Sequence, residues 1–252
     1  MNRLYLLLIT LLICSSVFAQ NIGTKRDSIL NSLDDLRSEI KTKFDNGEKK
    51  RVYYYNNNNE FVSVANFSED GKIYSIYSLD KGIKKEYLKF YSDSGSIKEH
   101  SYYHSNKKIK LKIFYDQFKN IESTYFYSPE GKQRFEIIFD LVNGGYSKRI
   151  FDSNGNLRKK ITYDKGIQYI SYEYNGKTHG WITTIDSEGK ETKEKFMNQG
   201  FPSEFYEGWE KIIMDYDKIP EYEKQLEAEL TKYGITLNNS TGKGKKVLIE
   251  QN

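Results

Sequence analysis

The chain of 252 residues is long enough to bury a core, is 29% charged with a formal net charge of +4, and holds a single cysteine, Cys14. Lysines and acids alternate along it, which describes a solvated surface and excludes the concentrated basic face that nucleic acid requires. Cys14 falls in a segment predicted to be removed, so disulfide and thiol chemistry are excluded from the mature chain.

Residues 1–19 read as a signal peptide: Arg3, an apolar run from Leu4 to Ile13, then small residues leading to Ala19. The run is shorter than the about 20 apolar residues that span a bilayer. Lipidation at Cys14 wants a small side chain before it, and Ile13 stands there. Export without cysteine predicts a bacterial protein, periplasmic or extracellular, with no membrane span after cleavage. Loss of Arg3 with the leader lowers the net charge of +4 by one, to +3.

Residues 20–48 are predicted to form an amphipathic helical segment. Over 24–45, Ile29, Leu33, Leu36, Ile40 and Phe44 fall on one stripe with charges elsewhere. Its expected role is to cover the first edge of the sheet that follows.

Residues 50–202 carry a repeat. Steps of 12 from Tyr55 reach Phe67, Leu79, Tyr91, Tyr103, Tyr115, Tyr127, Phe139, Phe151 and Tyr163, and steps of 11 then reach Tyr174, Ile185 and Phe196. Each is apolar or aromatic. The next residue is a turn former almost throughout: Asn56, Ser68, Asp80, Ser92, His104, Asp116, Ser128, Asp140, Asp152, Asp164, Asn175 and Asp186, with Met197 the misfit. Such side chains hydrogen-bond the backbone two residues on, and a following glycine supplies positive φ. SEDG, SDSG, SPEG, DSNG and DSEG are the longer form; DKG, at Asp80 and Asp164, is a shorter one. The intervening seven or eight residues are too few for a capped helix and suit a strand. In KIKLKIFY, Ile109, Leu111, Ile113 and Tyr115 alternate with mostly lysine. Strand, turn and strand at constant spacing predict an antiparallel β-meander. The 22 tyrosines offer cross-strand pairs that stabilise a thin sheet.

Residues 203–237 are predicted as a C-terminal helical cap. Phe205, Trp209, Ile212, Ile213 and Tyr216 form one short stripe; Pro220 then opens a helix carrying Tyr222, Leu226, Leu230 and Tyr233, stopped at Gly234. It would cap the last strand or lie on the sheet. Residues 238–252 read as a flexible tail.

Candidate chemistry is sparse. His100 and His104 stand four apart, which along a strand is about 13 Å and too wide for one metal ion. His179, in GKTHGW beside Trp181, lacks an orienting acid and nucleophile recognisable in sequence. Acids fall at turns and on alternating strand positions, and no glycine pattern cradles phosphate. No catalytic, metal or cofactor residue is predicted. His179 and Trp181 remain the candidate ligand contacts, and the thirteen repeat positions are structural.

The stretch Y-N-G-K-x-H-G-W, then D-S-E-G-K, then F-x-N-x-G, over 174–200, resembles the MORN-type repeat of the bacterial YwqK antitoxin family. The likeness is looser over 55–173 and absent at both ends. Residues 151–166 are also similar to the YD repeats of large secreted shell proteins, whose arrays are longer. The YwqK resemblance implies a β-repeat fold and, as one reading, an immunity protein that sequesters a toxin. The reading carried forward is mainly β: an elongated antiparallel MORN-like meander with an N-terminal helix and C-terminal helices. Its expected role is that of an exported, non-enzymatic protein-binding or assembly surface in the bacterial envelope. A glycan-binding or cell-envelope-binding module is the alternative.

Overall fold

The computed structural model describes residues 29, 32–213 and 215–235. The signal peptide with Cys14 and the tail 238–252 lie outside the described residues, as does the start of the predicted N-terminal helix. The first strands are β1 (Arg37–Lys43), β2 (Lys49–Tyr55), β3 (Phe61–Phe67), β4 (Ile73–Asp80), β5 (Ile83–Phe90) and β6 (Ile97–Tyr103). Then follow β7 (Ile109–Tyr115), β8 (Ile121–Tyr127), β9 (Gln133–Asp140), β10 (Gly145–Phe151), β11 (Leu157–Asp164) and β12 (Ile167–Tyr174). The last are β13 (Lys177–Thr178), β14 (Gly180–Ile185), β15 (Glu191–Asn198) and β16 (Phe201–Pro202). Among the described residues the chain is mainly β, an open antiparallel meander in which strand order follows chain order and only β13 lies aside, on β12. It divides into two compact units, residues 1–100 and 101–252.

One turn recurs in both units. At Asn56, Ser68, His104, Asp116, Ser128, Asp152 and Asp186 the N–H donates to the carbonyl four residues on, and the carbonyl accepts the N–H three residues on, at 2.8–3.1 Å. Asn56, Asp116, Asp152 and Asp186 each present a side-chain oxygen to two backbone N–H groups of their own turn. The residue three positions on is left-handed: Gly71, Gly131, Gly155 and Gly189, but also Asn59, Lys107 and Lys119 at φ 59°, 69° and 70°. A type I turn closed by a left-handed residue leaves a bulge beside it. Register shifts occur there, at Tyr54/Tyr55, Asn66/Phe67, Phe114/Tyr115, Phe126/Tyr127 and Ile150/Phe151. The periodic aromatic is thus the last strand residue, pairing with the first residue beyond the turn, as Tyr115 does with Ile121. A seven-residue strand and a five-residue turn make the period of 12. The DKG turns are the expected shorter form, with positive φ at both Lys81-Gly82 and Lys165-Gly166, and Asn175-Gly176 and Gln199-Gly200 share it.

In the first unit, Val52, Tyr54, Ala65, Phe67, Ile73, Ile76 and Phe90 form a buried cluster with Leu33, against which Ile29, Leu36, Leu88 and Ile97 pack. Here the predicted helix is corrected. Among the described residues it is helical at Ile29 and 32–34, and residues 37–43 are strand β1, antiparallel to β2. RSEIKTK alternates as well as it fits a helical stripe, and unpaired backbone along β2 decides for the strand. Leu33 covers the face of the sheet, while Ile40 is half exposed at its edge.

Among the described residues of the second unit, a single α-helix, α1 (Ile219–Lys232), has Pro220 in its first turn and is followed by left-handed Gly234. It buries the expected Tyr222, Leu226 and Leu230, and Ile219 as well, while Tyr233 stands half-buried at its C-terminal end. It lies on the sheet: Glu223 meets Lys148 of β10 and Lys159 of β11 at 3.3 and 2.9 Å, and the Arg134 guanidinium sits 4.4 Å over the Tyr222 ring. The stripe expected from Phe205 to Tyr216 is instead two 3₁₀ turns, Trp209–Ile212 and Tyr216–Lys218. Left-handed Gly208 and Asp215 and extended Ile213 interrupt any longer helix. Trp209 and Ile213 are buried, while Phe205 and Ile212 are exposed.

The left-handed lysines give a direct test of the turn. Lys107→Gly or Lys119→Gly should stabilise the protein by about 0.5–1 kcal/mol, the steric relief exceeding the entropy lost by glycine. Gly155→Ala should destabilise it. Urea midpoints of the three variants check both signs.

Candidate functional site

Strand pairing in the second unit places cross-strand rows on two faces. One row runs Ile113, Thr124, Ile137, Lys148, Ile161, Ile170 and Thr183. It is on the side of α1, and Ile137 and Thr124 are fully buried. Lys148 and Lys159 are also over nine-tenths buried there, which a lysine tolerates only when paired, and Glu223 supplies the charge. Beside them Arg158, re-aimed by the bulge after Phe151, places Nε 2.8 Å from Asp152 Oδ2. Burial alone would raise the Asp152 pKa, but hydrogen bonds from Asn156 and Arg158 outweigh it and hold the carboxyl below 3.8. Neither ionic group stood out in the sequence. Asp152 was visible only as a turn former, and lysines on alternating strand positions read as solvated.

The opposite face carries the row Lys112, Tyr125, Glu136, Arg149, Lys160 and Ser171. Arg149 Nη1 lies 3.2 Å from Glu136 Oε1, and Gln133 donates to the same carboxylate. The neighbouring row, Phe114, Ser123, Ile138, Ser147, Thr162 and Tyr169, ends in an exposed tyrosine. This face is polar and aromatic, with Glu136 and Ser123 buried, Tyr169 exposed and the other side chains of the two rows half-buried.

All thirteen repeat positions are buried or half-buried. They form packing contacts: Tyr146 stacks on Tyr163 at 5.4 Å and Phe139 lies 6.5 Å from Tyr146. Several other ring faces are occupied by cations, as Tyr77 is by Lys84 and Tyr55 by Arg37. His100 Nε2 meets Glu86 Oε1, and His104 Nε2 meets the Tyr127 carbonyl at 2.9 Å. Among the described residues no group of three or more His, Cys, Asp or Glu could hold a metal ion. A cavity of ≈ 270 Å³ beneath Leu33 and Leu36, walled by Ile76 and Leu88, is below the about 300–1,000 Å³ of small-molecule pockets.

The two candidate contacts, His179 and Trp181, are brought together around Phe196. Ring centroids are 6.4 Å from His179 to Phe196 and 5.5 Å from Trp181 to Phe196. Trp181 is half-buried, stacked on Phe205 at 5.8 Å with Lys193 beside it. His179 is buried, its Nε2 2.8 Å from the Tyr206 hydroxyl and its backbone N–H donating to the Tyr172 carbonyl. The next residue, Gly180, has φ +88°, and a Cβ there would fall 2.0 Å from the Trp209 ring. Gly180→Ala should therefore cost at least about 2 kcal/mol, combining left-handed strain with overlap, measurable as a lowered denaturation midpoint.

Burial pushes the His179 imidazole below 6.5, and the Trp209 backbone opposes the shift without reversing it. Between the folded value and 6.5 the unfolded chain binds the extra proton, so stability rises with pH. The contribution is complete above 6.5 and fades as pH falls through the folded value. His179→Gln should remove that portion of the pH dependence, whatever its effect on absolute stability. Denaturant midpoints taken along a pH series read the difference.

No protein-family model and no curated protein sequence matches the chain. Among solved structures it is similar to TarM, at 12% identity and a TM-score of 0.22 over 67% of this chain and 23% of that one. It is similar also to a GtfA/B complex bound to UDP and GlcNAc, at 14% identity and a TM-score of 0.23 over 51% and 24%. A third is an S. aureus TarM mutant in complex with Fondaparinux, alpha-GlcNAc-glycerol and UDP, at 12%, 0.19, 67% and 23%. The chain spans about a quarter of the length of these proteins, and likeness at this level carries no argument about activity.

Proposed function

We propose that this chain is an exported, non-enzymatic β-repeat protein of MORN-like type that presents a protein-binding or assembly surface in the bacterial envelope. The observation that carries the reading is the asymmetry of the second unit. α1 occupies one face, while the face bearing Lys112, Tyr125, Glu136, Arg149 and Lys160 is an ordered row of charges and an aromatic across five strands. Rows of this kind recognise a partner surface by charge pattern and fix its register. The repeat resemblance over 174–200 supports the fold assignment, and the N-terminal leader pattern supports export.

Protein is favoured over glycan because several aromatic faces that sugars would stack on already carry lysine or arginine. The test is capture from envelope fractions by the mature chain, compared with a Lys160→Glu, Tyr169→Ala variant. Neither residue belongs to the buried ion pairs, so the variant should fold and lose about tenfold or more in affinity for the captured protein. Undiminished capture, or retention of envelope polysaccharide alone, would refute the proposal.

A further inference from the structure

In the first unit the cross-strand partners Ile40, Val52, Ala65, Ile76 and Leu88 make one row across five strands. Val52, Ala65 and Ile76 are 3%, 0% and 6% exposed, whereas Ile40, at the end of the row, is 50% exposed. The apolar row therefore runs out into water at β1. Every residue of β1 is exposed, and among the described residues only β2 pairs with it. The helical turn at Leu33 covers the face and not this edge. An exposed strand with a large apolar residue at its centre is a site of association unless its charges prevent it.

The charges of β1 are arranged to permit one particular association. RSEIKTK has Ile40 at its midpoint, with Glu39 before it and Lys41 after it. Two such strands set antiparallel about a two-fold axis at Ile40 bring Glu39 of each copy opposite Lys41 of the other; a bulge at Lys41, where Ile40 and Thr42 face the adjacent Val52 and Arg51 of β2, confines this register to residues 39–41. Arg37 lies outside that register, its guanidinium drawn over the Tyr55 ring, 4.2 Å from the centroid. Within one copy Glu39 already sits 2.6 Å from Lys41, and the Tyr55 hydroxyl donates to its other oxygen. Exchange across the axis thus replaces the two intrastrand pairs, one in each copy, by two interstrand pairs of the same kind. The added gain is burial of Ile40 against its counterpart, which joins the two apolar rows.

We propose that β1 is an isologous interface through which two copies of this chain pair edge to edge, Ile40 against Ile40, continuing the sheet from one copy into the other. The self-complementary order of Glu39, Ile40 and Lys41 selects a second copy over an unrelated strand. The proposal is independent of the row around Arg149, because its residues all belong to the first unit.

Sedimentation of the mature chain across a concentration series tests it. A monomer–dimer equilibrium is expected. Ile40→Lys should shift it to monomer. Glu39→Lys and Lys41→Glu should each weaken it about tenfold by setting like charges opposite. Combining the two reverses both partners of each pair and should restore the dimer, an outcome that a folding defect could not produce. A wild-type chain that stays monomeric at high micromolar concentration overturns the proposal. So does a dimer indifferent to Ile40→Lys, or one that the double reversal fails to restore. Envelope capture by the monomeric Ile40→Lys variant keeps failure here separate from failure of the partner surface.

Discussion

The fold depends on where a left-handed residue stands in each reversal. A type I turn closed by such a residue hands the chain back with a right-handed twist that suits the strands on either side, and it forces one extra residue into the returning strand. That extra residue fixes which side chains lie opposite one another. The pairs Tyr55 with Phe61, Phe67 with Ile73 and Tyr127 with Gln133 share one geometry because their turns do. With register set locally at each turn, rows of side chains align across many strands with no long-range contact needed to choose them. The side-chain oxygens of Asn56, Asp116, Asp152 and Asp186 hold the turns shut by taking backbone N–H groups that no strand could satisfy.

A sheet built this way has two faces and must decide what covers each. In the second unit the covering element is α1, and its placement uses charge as well as burial. Taking Lys148, Lys159 and Glu223 out of water costs more than an apolar set of the same shape would. What the trio provides is position, because Glu223 is 2.9 Å from one ammonium and 3.3 Å from the other only when the helix lies at one place along the strands. Leu226 and Leu230 supply the burial that holds it there. The buried Asp152 and Arg158 fit the same logic at the turn before β11, where one carboxylate closes a reversal and neutralises the bulged guanidinium.

The meander was legible because its signals are local. Turn former, glycine and aromatic recur at fixed distance, and each acts within a few residues of itself. The helix α1 was legible from Pro220, the stripe Tyr222, Leu226 and Leu230, and Gly234. Two things were not. Ile29, Leu33, Leu36, Ile40 and Phe44 satisfy a helical period, yet Ile40 lies in a strand because β2 offers it backbone partners, and a one-dimensional pattern contains no record of that offer. The covered face was equally hidden, since Lys148 and Lys159 look like any solvated lysine until Glu223 arrives from more than sixty residues away. His179 and Trp181, singled out as a pair, do come together, but around Phe196 and under a strap carrying Tyr206 and Trp209 that helical spacing had disguised.

That strap gives a meaning to the one stretch where the repeat is written most clearly. The phrase around His179 and Gly180 resembles a repeat unit, and a repeat unit needs its glycine for the turn. Gly180 does have positive φ, but it lies at the start of β14 with the Trp209 ring against its α-carbon. Its missing side chain serves a contact made by residues outside the array. The same holds in reverse at Lys107 and Lys119, where the turn keeps its left-handed geometry although the glycine is gone. Geometry is therefore the unit that repeats, and a residue type is kept or changed according to what else packs on that turn. Departures from the pattern consequently carry more information about neighbours than agreement with it does.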